Sequence, residues 1–191
     1  MKANLKGILL LAIFAYSLFN TCQDLSTVKH DCSYYIECLE NNYSCGADGY
    51  PVGYGNKYCS RFLEFFNDFP REGQEWIEKT LTCLKKAIQD VISVKPEQTC
   101  KNIYDIAFNS HPDCYVNSGF CSAMIHNTFS MTKALLKVYE VKDFMSFTSI
   151  KQVIVTAKKC GVDVSVKIME AIKDILGQEF TYDFNDIDSP F

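Results

Sequence analysis

The segment Cys38-Leu39-Glu40-Asn41-Asn42-Tyr43-Ser44-Cys45 places two cysteines around a short polar stretch. It lies within residues 22–59, which contain five cysteines and are rich in Gly, Asn and Tyr. This region has little periodic apolar pattern, so it offers few apolar faces to bury. Small, loop-rich stretches of this kind are usually held by covalent cross-links. We therefore expect disulfides, rather than apolar packing alone, to fold this part of the chain.

All ten cysteines lie beyond the first twenty residues, and their even number predicts five disulfides formed in an oxidising compartment. Zinc binding is the competing explanation, but no CxxC pair occurs and the three histidines are not at ligand spacing. Many pairings of ten cysteines are possible, so the residues alone leave the connectivity open. The ten are Cys22, Cys32, Cys38, Cys45, Cys59, Cys83, Cys100, Cys114, Cys121 and Cys160.

Residues 1–17 have the pattern of a secretory signal peptide. Lys2 and Lys6 give a positive start, and an apolar run of about a dozen residues follows over 8–19. The run is shorter than the about 20 residues that cross a bilayer, and Ser17 is a small residue suited to cleavage. We expect a secreted, extracellular protein without a membrane span in the mature chain. An uncleaved membrane anchor is the alternative.

The charge balance of the chain is acidic. Without residues 1–17, 17 basic and 23 acidic residues remain, a net charge of −6. No dense basic patch occurs, so nucleic acid and anionic membrane surfaces are not expected as partners. The pairs Lys85–Lys86 and Lys158–Lys159 are interpreted as solvated helix faces.

Apolar residues recur at spacings of three and four from residue 59 onward, which predicts helices. The clearest stripe runs from Ile77 to Val91, and strand signals are sparse. The predicted fold class is all-α, with short helices in a compact disulfide-rich bundle. The stripes comprise Phe62, Phe65, Phe66 and Phe69; Ile77, Leu81, Leu84, Ile88 and Val91; Ile103, Ile106 and Ala107; Met124, Phe129, Met131, Leu135 and Val138; and Val164, Ile168, Ala171, Ile172 and Ile175.

Proline and glycine set the expected ends of these helices. Pro70 and Pro96 are predicted to end helices, and Pro112 is predicted to lie near the start of one. Gly161 is expected to cap a helix at its C-terminus. Residues 46–57 are dense in Gly and Pro and are predicted to form a loop.

Candidate catalytic groups are few. His30-Asp31 and the Tyr54-Gly55 loop resemble parts of secreted phospholipase A2, but their order along the chain is reversed. His111 and His126 are interpreted as structural residues. We therefore predict no catalytic, cofactor-binding or metal-binding residues and no cofactor, and keep a phospholipase-like hydrolase as a distant alternative.

Asn42-Tyr43-Ser44 is the one N-x-[ST] sequon of the chain. It lies in a polar segment that we expect at the surface. In a secreted protein, Asn42 is the predicted glycosylation site.

The cysteine-containing segments resemble the stanniocalcin family. Cys38 to Cys45, then Asp48-Gly49 and Cys59-Ser60-Arg61-Phe62-Leu63, are similar to the family's C-L-E-N-S-T-C, D-x-D-G and C-K-S-F-L motifs. The intervals from Cys59 to Cys83, Cys100 to Cys114 and Cys114 to Cys121 match the family's as well. The resemblance covers roughly residues 22–184, nearly all of the expected mature chain.

The resemblance implies a pairing and a function. It implies a secreted hormone-like glycoprotein that binds a cell-surface receptor or extracellular protein in calcium and phosphate homeostasis. The alternative is a secreted inhibitory or binding module that acts on an extracellular protease. The implied disulfides are Cys22–Cys38, Cys32–Cys59, Cys45–Cys100, Cys83–Cys114 and Cys121–Cys160.

The chain also departs from the family pattern. It has no cysteine after Cys160 to link two chains, so a monomer or a non-covalent homodimer is expected. The stretch between Cys45 and Cys59 is five residues longer than the family's. We expect a disulfide-linked helical stanniocalcin-like domain over 18–177 and an acidic flexible tail over 178–191.

Overall fold

The computed structural model describes residues 21–139 and 147–176, and within these ranges the chain is helical with no strand. The predicted all-α class is confirmed. Residues 21–27 are helical, and two π-helical segments and a short α-helical turn precede the longer helices. The longer helices are α1 (Lys57–Glu64), α2 (Arg71–Val94), α3 (Cys100–Asn117), α4 (Phe120–Val138), α5 (Phe147–Cys160) and α6 (Val162–Leu176).

The chain divides into two compact units. Among the described residues, unit 1 comprises 21–60 and 81–107. Unit 2 comprises 61–80, 108–139 and 147–176. The expected signal peptide and acidic tail lie outside the described residues.

Unit 1 is built around two π-helical segments, Tyr35–Glu40 and Tyr50–Asn56, that pack against each other. The first continues into the α-helical turn Asn41–Tyr43, and the second runs directly into α1. The prediction of a loop over 46–57 is therefore wrong for most of that stretch. Pro51 stands in the first turn of the second segment, where a backbone N–H needs no intrahelical partner.

Gly55 explains why a glycine-rich stretch can form this π-helix. A Cβ atom at Gly55 would overlap the ring of Tyr35, which is fully buried. The missing side chain thus lets the second π-helical segment lie directly on the first. Close backbone approach of this kind is a reason for glycine that a loop-breaker rule does not consider.

Four buried tyrosines, Tyr34, Tyr35, Tyr50 and Tyr58, form part of the unit 1 core. Tyr35 meets Tyr50 edge-on with ring centroids 6.2 Å apart, and Tyr54 lies 5.0 Å from Tyr58. The hydroxyl of Tyr34 donates a hydrogen bond to Oε1 of Gln89 at 3.1 Å. Burial raises the pKa of both Tyr34 and Tyr35, so both phenols stay neutral.

Unit 2 has a conventional core of long apolar side chains. Trp76 is buried among Phe62, Phe69 and Phe120, and its Nε1 donates a hydrogen bond to the Tyr115 carbonyl at 3.2 Å. Helix α4 packs against α6, and α6 against α5. Such packing of amphipathic helices is what a spacing of three and four predicts.

The predicted position of Pro112 near the start of a helix is wrong. Pro112 does not begin a helix but lies inside α3, where it is buried. The break comes later, at Gly119, whose φ of 104° is left-handed. The buried packing of Pro112 offsets the hydrogen bond that its ring nitrogen cannot donate.

Pro70 does not end the helix predicted through Phe69, because α1 ends at Glu64 and a 3₁₀-helical turn follows over Phe66–Asp68. Pro70 instead directly precedes α2. Helix α2 ends at Val94, two residues before Pro96, as predicted. Gly161, with a φ of 95°, separates α5 from α6 as predicted. Among the described helices, none is long and apolar enough to cross a membrane.

Candidate functional site

The disulfides are the main chemical feature of the described structure. Three lie within unit 1 and one within unit 2, with Cα atoms 5.3–5.8 Å apart. Cys83 and Cys114 are disulfide-bonded as well, and no cysteine is free. The four pairs are those that the family resemblance implies: Cys22–Cys38, Cys32–Cys59, Cys45–Cys100 and Cys121–Cys160.

The sequon lies between two of these cross-links. Asn42 is exposed, and its Nδ2 donates a hydrogen bond to the Cys38 carbonyl at 2.8 Å. Ser44 ends the turn in a left-handed conformation with a φ of 50°. The hydroxyl of Tyr43 donates to the Pro96 carbonyl at 2.8 Å, which ties the segment to the end of α2. The sequon therefore stands on a well-anchored surface turn.

His30 and Asp31, the two residues of the phospholipase-like alternative, lie at a turn of unit 1. His30 is exposed, with a left-handed φ of 55°. The Asp31 carboxylate accepts hydrogen bonds from the Ser33 backbone N–H at 2.8 Å and from the Ser33 hydroxyl at 2.9 Å. Asp31 thus starts the following helical segment, a common role for Asp.

Lys85 is buried rather than solvated, so the interpretation of Lys85–Lys86 is wrong for its first residue. Its Nζ donates to the carbonyls of Val28 at 2.5 Å and Asp31 at 2.8 Å. Burial lowers the pKa of Lys85, while the nearby Asp31 opposes that change. The ammonium holds the turn around His30 in place. Apolar periodicity does not predict this role, because Lys85 is a charged residue beside the apolar stripe of α2.

Two other histidines have structural surroundings, as their sequence context suggests. His111 is buried beside Phe108, and burial lowers its pKa to about 4. The Tyr115 hydroxyl lies 3.5 Å from its Nδ1. His126 is exposed and lies 3.3 Å from Oε2 of Glu72. At neutral pH His111 is therefore uncharged inside unit 2.

Helix α4 carries an exposed apolar pair that the sequence pattern misses. Asn127 has non-helical backbone angles, and its Nδ2 donates to Oε2 of Glu72 at 2.9 Å. Around this kink Ile125 is 48% exposed and Phe129 is 57% exposed. Phe129 was predicted within an apolar stripe, yet most of its ring faces solvent. Exposed aromatic and aliphatic side chains of this kind are common at protein-binding surfaces.

Clusters of metal-binding side chains are absent from the part of the chain that the structure describes. No cluster of three or more His, Cys, Asp or Glu residues there could hold a metal ion. The Asp-rich end of the chain lies outside these residues.

These features describe a helical protein whose two units are built on disulfides. The stanniocalcin family model matches residues 19–189, so the chain belongs to the stanniocalcin family. Membership supports the class of secreted, hormone-like glycoproteins.

Two curated relatives are similar to this chain. Stanniocalcin-2 of Mus musculus is 23% identical over 138 residues, which cover 72% of this chain and 43% of the relative. Stanniocalcin-2 of Macaca nemestrina has the same identity over the same length, covering 42% of the relative. The matched region thus spans less than half the length of either relative.

Proposed function

We propose that this protein is a secreted, hormone-like glycoprotein that binds an extracellular protein or cell-surface receptor in calcium and phosphate homeostasis. The observation that carries the proposal is the family match over residues 19–189. A chain in which every cysteine is disulfide-bonded is suited to an oxidising, extracellular setting.

Asn42 is the proposed glycan attachment site. Its exposure and its position in a turn between Cys38 and Cys45 support access from solvent. The full chain, carrying a C-terminal tag, is expressed in cells with a secretory pathway, and the medium is treated with an N-glycosidase. We expect a mobility shift for the wild type and for Asn41→Gln, and none for Asn42→Gln. A shift that persists in Asn42→Gln would contradict this assignment.

Ile125 and Phe129 are the proposed contact residues for the protein partner. An exposed aromatic ring has few rotatable bonds, so it loses little conformational entropy on binding. Glu72 fixes the kink through Asn127, so the pair is preorganised. Val94, at 88% exposure in unit 1, offers a matched exposed apolar residue away from this pair.

Receptor binding is tested with labelled protein on cultured epithelial cells that transport calcium and phosphate. We expect saturable binding, together with altered calcium or phosphate uptake. Phe129→Ser is expected to weaken binding at least tenfold, the effect of a typical hot-spot residue. Val94→Ser is expected to leave binding unchanged. Equal loss in both variants, or non-saturable binding of the wild type, would overturn the proposal.

The same preparation separates this function from protease inhibition. The protein is mixed with extracellular proteases, and cleavage of reporter peptides is followed. Slowed cleavage without saturable cell binding would contradict the hormone-like proposal and favour the inhibitory alternative.

A further inference from the structure

A cavity lies in unit 2, lined by residues from five helices. Its volume is about 50 Å³. One water needs about 10–15 Å³. The cavity walls are formed by Trp76, Tyr115, Phe120, Met124, Thr132, Leu135, Leu136, Tyr139, Thr156 and Ile168.

The wall residues that the structure describes include no charged side chain and are mostly apolar. An apolar cavity of this size favours a neutral guest, because a charged group would lose its hydration without a counter-charge. Met124 and two leucines on the wall have flexible side chains that can adapt to a guest. Aromatic rings on the wall favour a flat or aromatic guest.

One polar atom in the wall has no partner. Thr132 is 3% exposed, and its Oγ1 has no hydrogen-bond partner in the described structure. An unpaired buried hydroxyl costs about 1–3 kcal/mol, so a molecule in the cavity that forms a hydrogen bond with it would recover part of that free energy. The second threonine of the wall, Thr156, is different because its Oγ1 donates to the Gln152 carbonyl at 2.7 Å.

We propose that this cavity is a binding site for a small, neutral, mostly apolar molecule with one hydroxyl or carbonyl group. The apolar body of the ligand lies among the rings and leucines, and its polar group forms a hydrogen bond with Oγ1 of Thr132. Nothing in the proposed receptor binding requires this site, so the two proposals can fail separately.

The test uses phenol and benzene, two probes that differ by a single hydroxyl. Trp76 is the one tryptophan of the chain and lies in the cavity wall, so its fluorescence reports occupancy directly. Each probe is titrated into the full-length protein. We expect both to change the emission, with phenol bound about three- to tenfold more tightly, the strength of one net hydrogen bond.

Two threonine variants then locate the hydrogen bond. Thr132→Val is expected to remove the preference for phenol, whereas Thr156→Val is expected to keep it. Thr132→Ser retains a hydroxyl and is expected to keep the preference as well. The proposal is overturned if neither probe changes the Trp76 emission, if the wild type shows no preference, or if Thr132→Val retains it.

Discussion

The two units reach stability by different means. Unit 1 has three internal disulfides, two π-helical segments and a tyrosine core, whereas unit 2 has one internal disulfide, long α-helices and a core around Trp76. Among its described residues, the long helices of unit 1 are its parts of α2 and α3. Disulfides can therefore hold backbone conformations, such as the π-helical segments of unit 1, that apolar periodicity does not predict.

The largest expected effect is the loss of a unit 1 disulfide. Cys45–Cys100 joins residues 55 positions apart, and the chain-entropy model gives it about 4 kcal/mol. Replacing both cysteines by Ser is therefore expected to lower the free energy of unfolding by that amount, measured by denaturant titration. Hydrogen exchange should rise over 41–56 while the protected amides of α4 stay protected.

The matched variant is Cys121→Ser with Cys160→Ser in unit 2. That link joins residues 39 positions apart and is worth nearly as much in the same model. Its loss should raise exchange in α4 and α5 and leave 41–56 protected. If each double variant raised hydrogen exchange equally over 41–56 and in α4 and α5, the two units would not be stabilised separately by their own disulfides.

Acid should weaken unit 2 through His111. Its pKa is about 4 in the folded protein and 6.5 in the unfolded chain, so below pH 6.5 only the unfolded state takes up the proton. The free energy of unfolding should fall by about 3 kcal/mol as the pH is lowered from 6.5 to 4. Above pH 6.5 His111 causes no such loss of stability, because it is neutral in both states.

His111→Gln is expected to remove this part of the pH dependence, and His126→Gln, at an exposed position, to retain it. Trp76 fluorescence follows the transition of unit 2. A wild type and a His111→Gln variant with the same slope between pH 6.5 and pH 4 would contradict the buried, neutral state of His111.

Each unit has a buried glycine at which an added Cβ would meet a neighbouring side chain. In unit 1, Gly55→Ala would drive a Cβ into the fixed ring of Tyr35, an overlap expected to cost about 2 kcal/mol. In unit 2, Gly73→Ala would meet Sδ of Met131 at 2.6 Å and Cβ of Phe69 at 3.2 Å. The methionine can move, and alanine gains about 1 kcal/mol in a helix, so a net change below 1 kcal/mol is expected.

Thermal unfolding of the two glycine variants checks this difference. Gly55→Ala should lower the midpoint clearly, and Gly73→Ala should leave it nearly unchanged. A larger loss for Gly73→Ala would show that the closer backbone contact lies in unit 2 instead.

The sequence predicted the parts of the fold that follow a repeating pattern. Ile77, Leu81, Leu84 and Ile88 are buried along α2 as their spacing indicates, and Gly161 caps α5. Composition failed over 46–57, because Gly55 serves a close ring contact rather than a turn. The interpretation of Lys85 as solvated is wrong because its buried ammonium donates hydrogen bonds to two backbone carbonyls, which a pattern of side chains does not show.

The cysteines and the sequon could be found from the sequence, whereas the exposed pair on α4 and the cavity of unit 2 could not. The cysteines and Asn42 are short, local signals that can be read residue by residue. The exposure of Phe129 depends on a kink at Asn127, and the Thr132 cavity depends on five helices meeting. Such features arise only from tertiary packing, so no window of sequence contains them.

The most direct test of this account is peptide mapping, without reduction, of the protein collected from the culture medium. We expect linked peptides that contain Cys22–Cys38, Cys32–Cys59, Cys45–Cys100 and Cys121–Cys160, with no free thiol. A link from Cys121 to any cysteine of unit 1, or a free thiol at any of these positions, would contradict it.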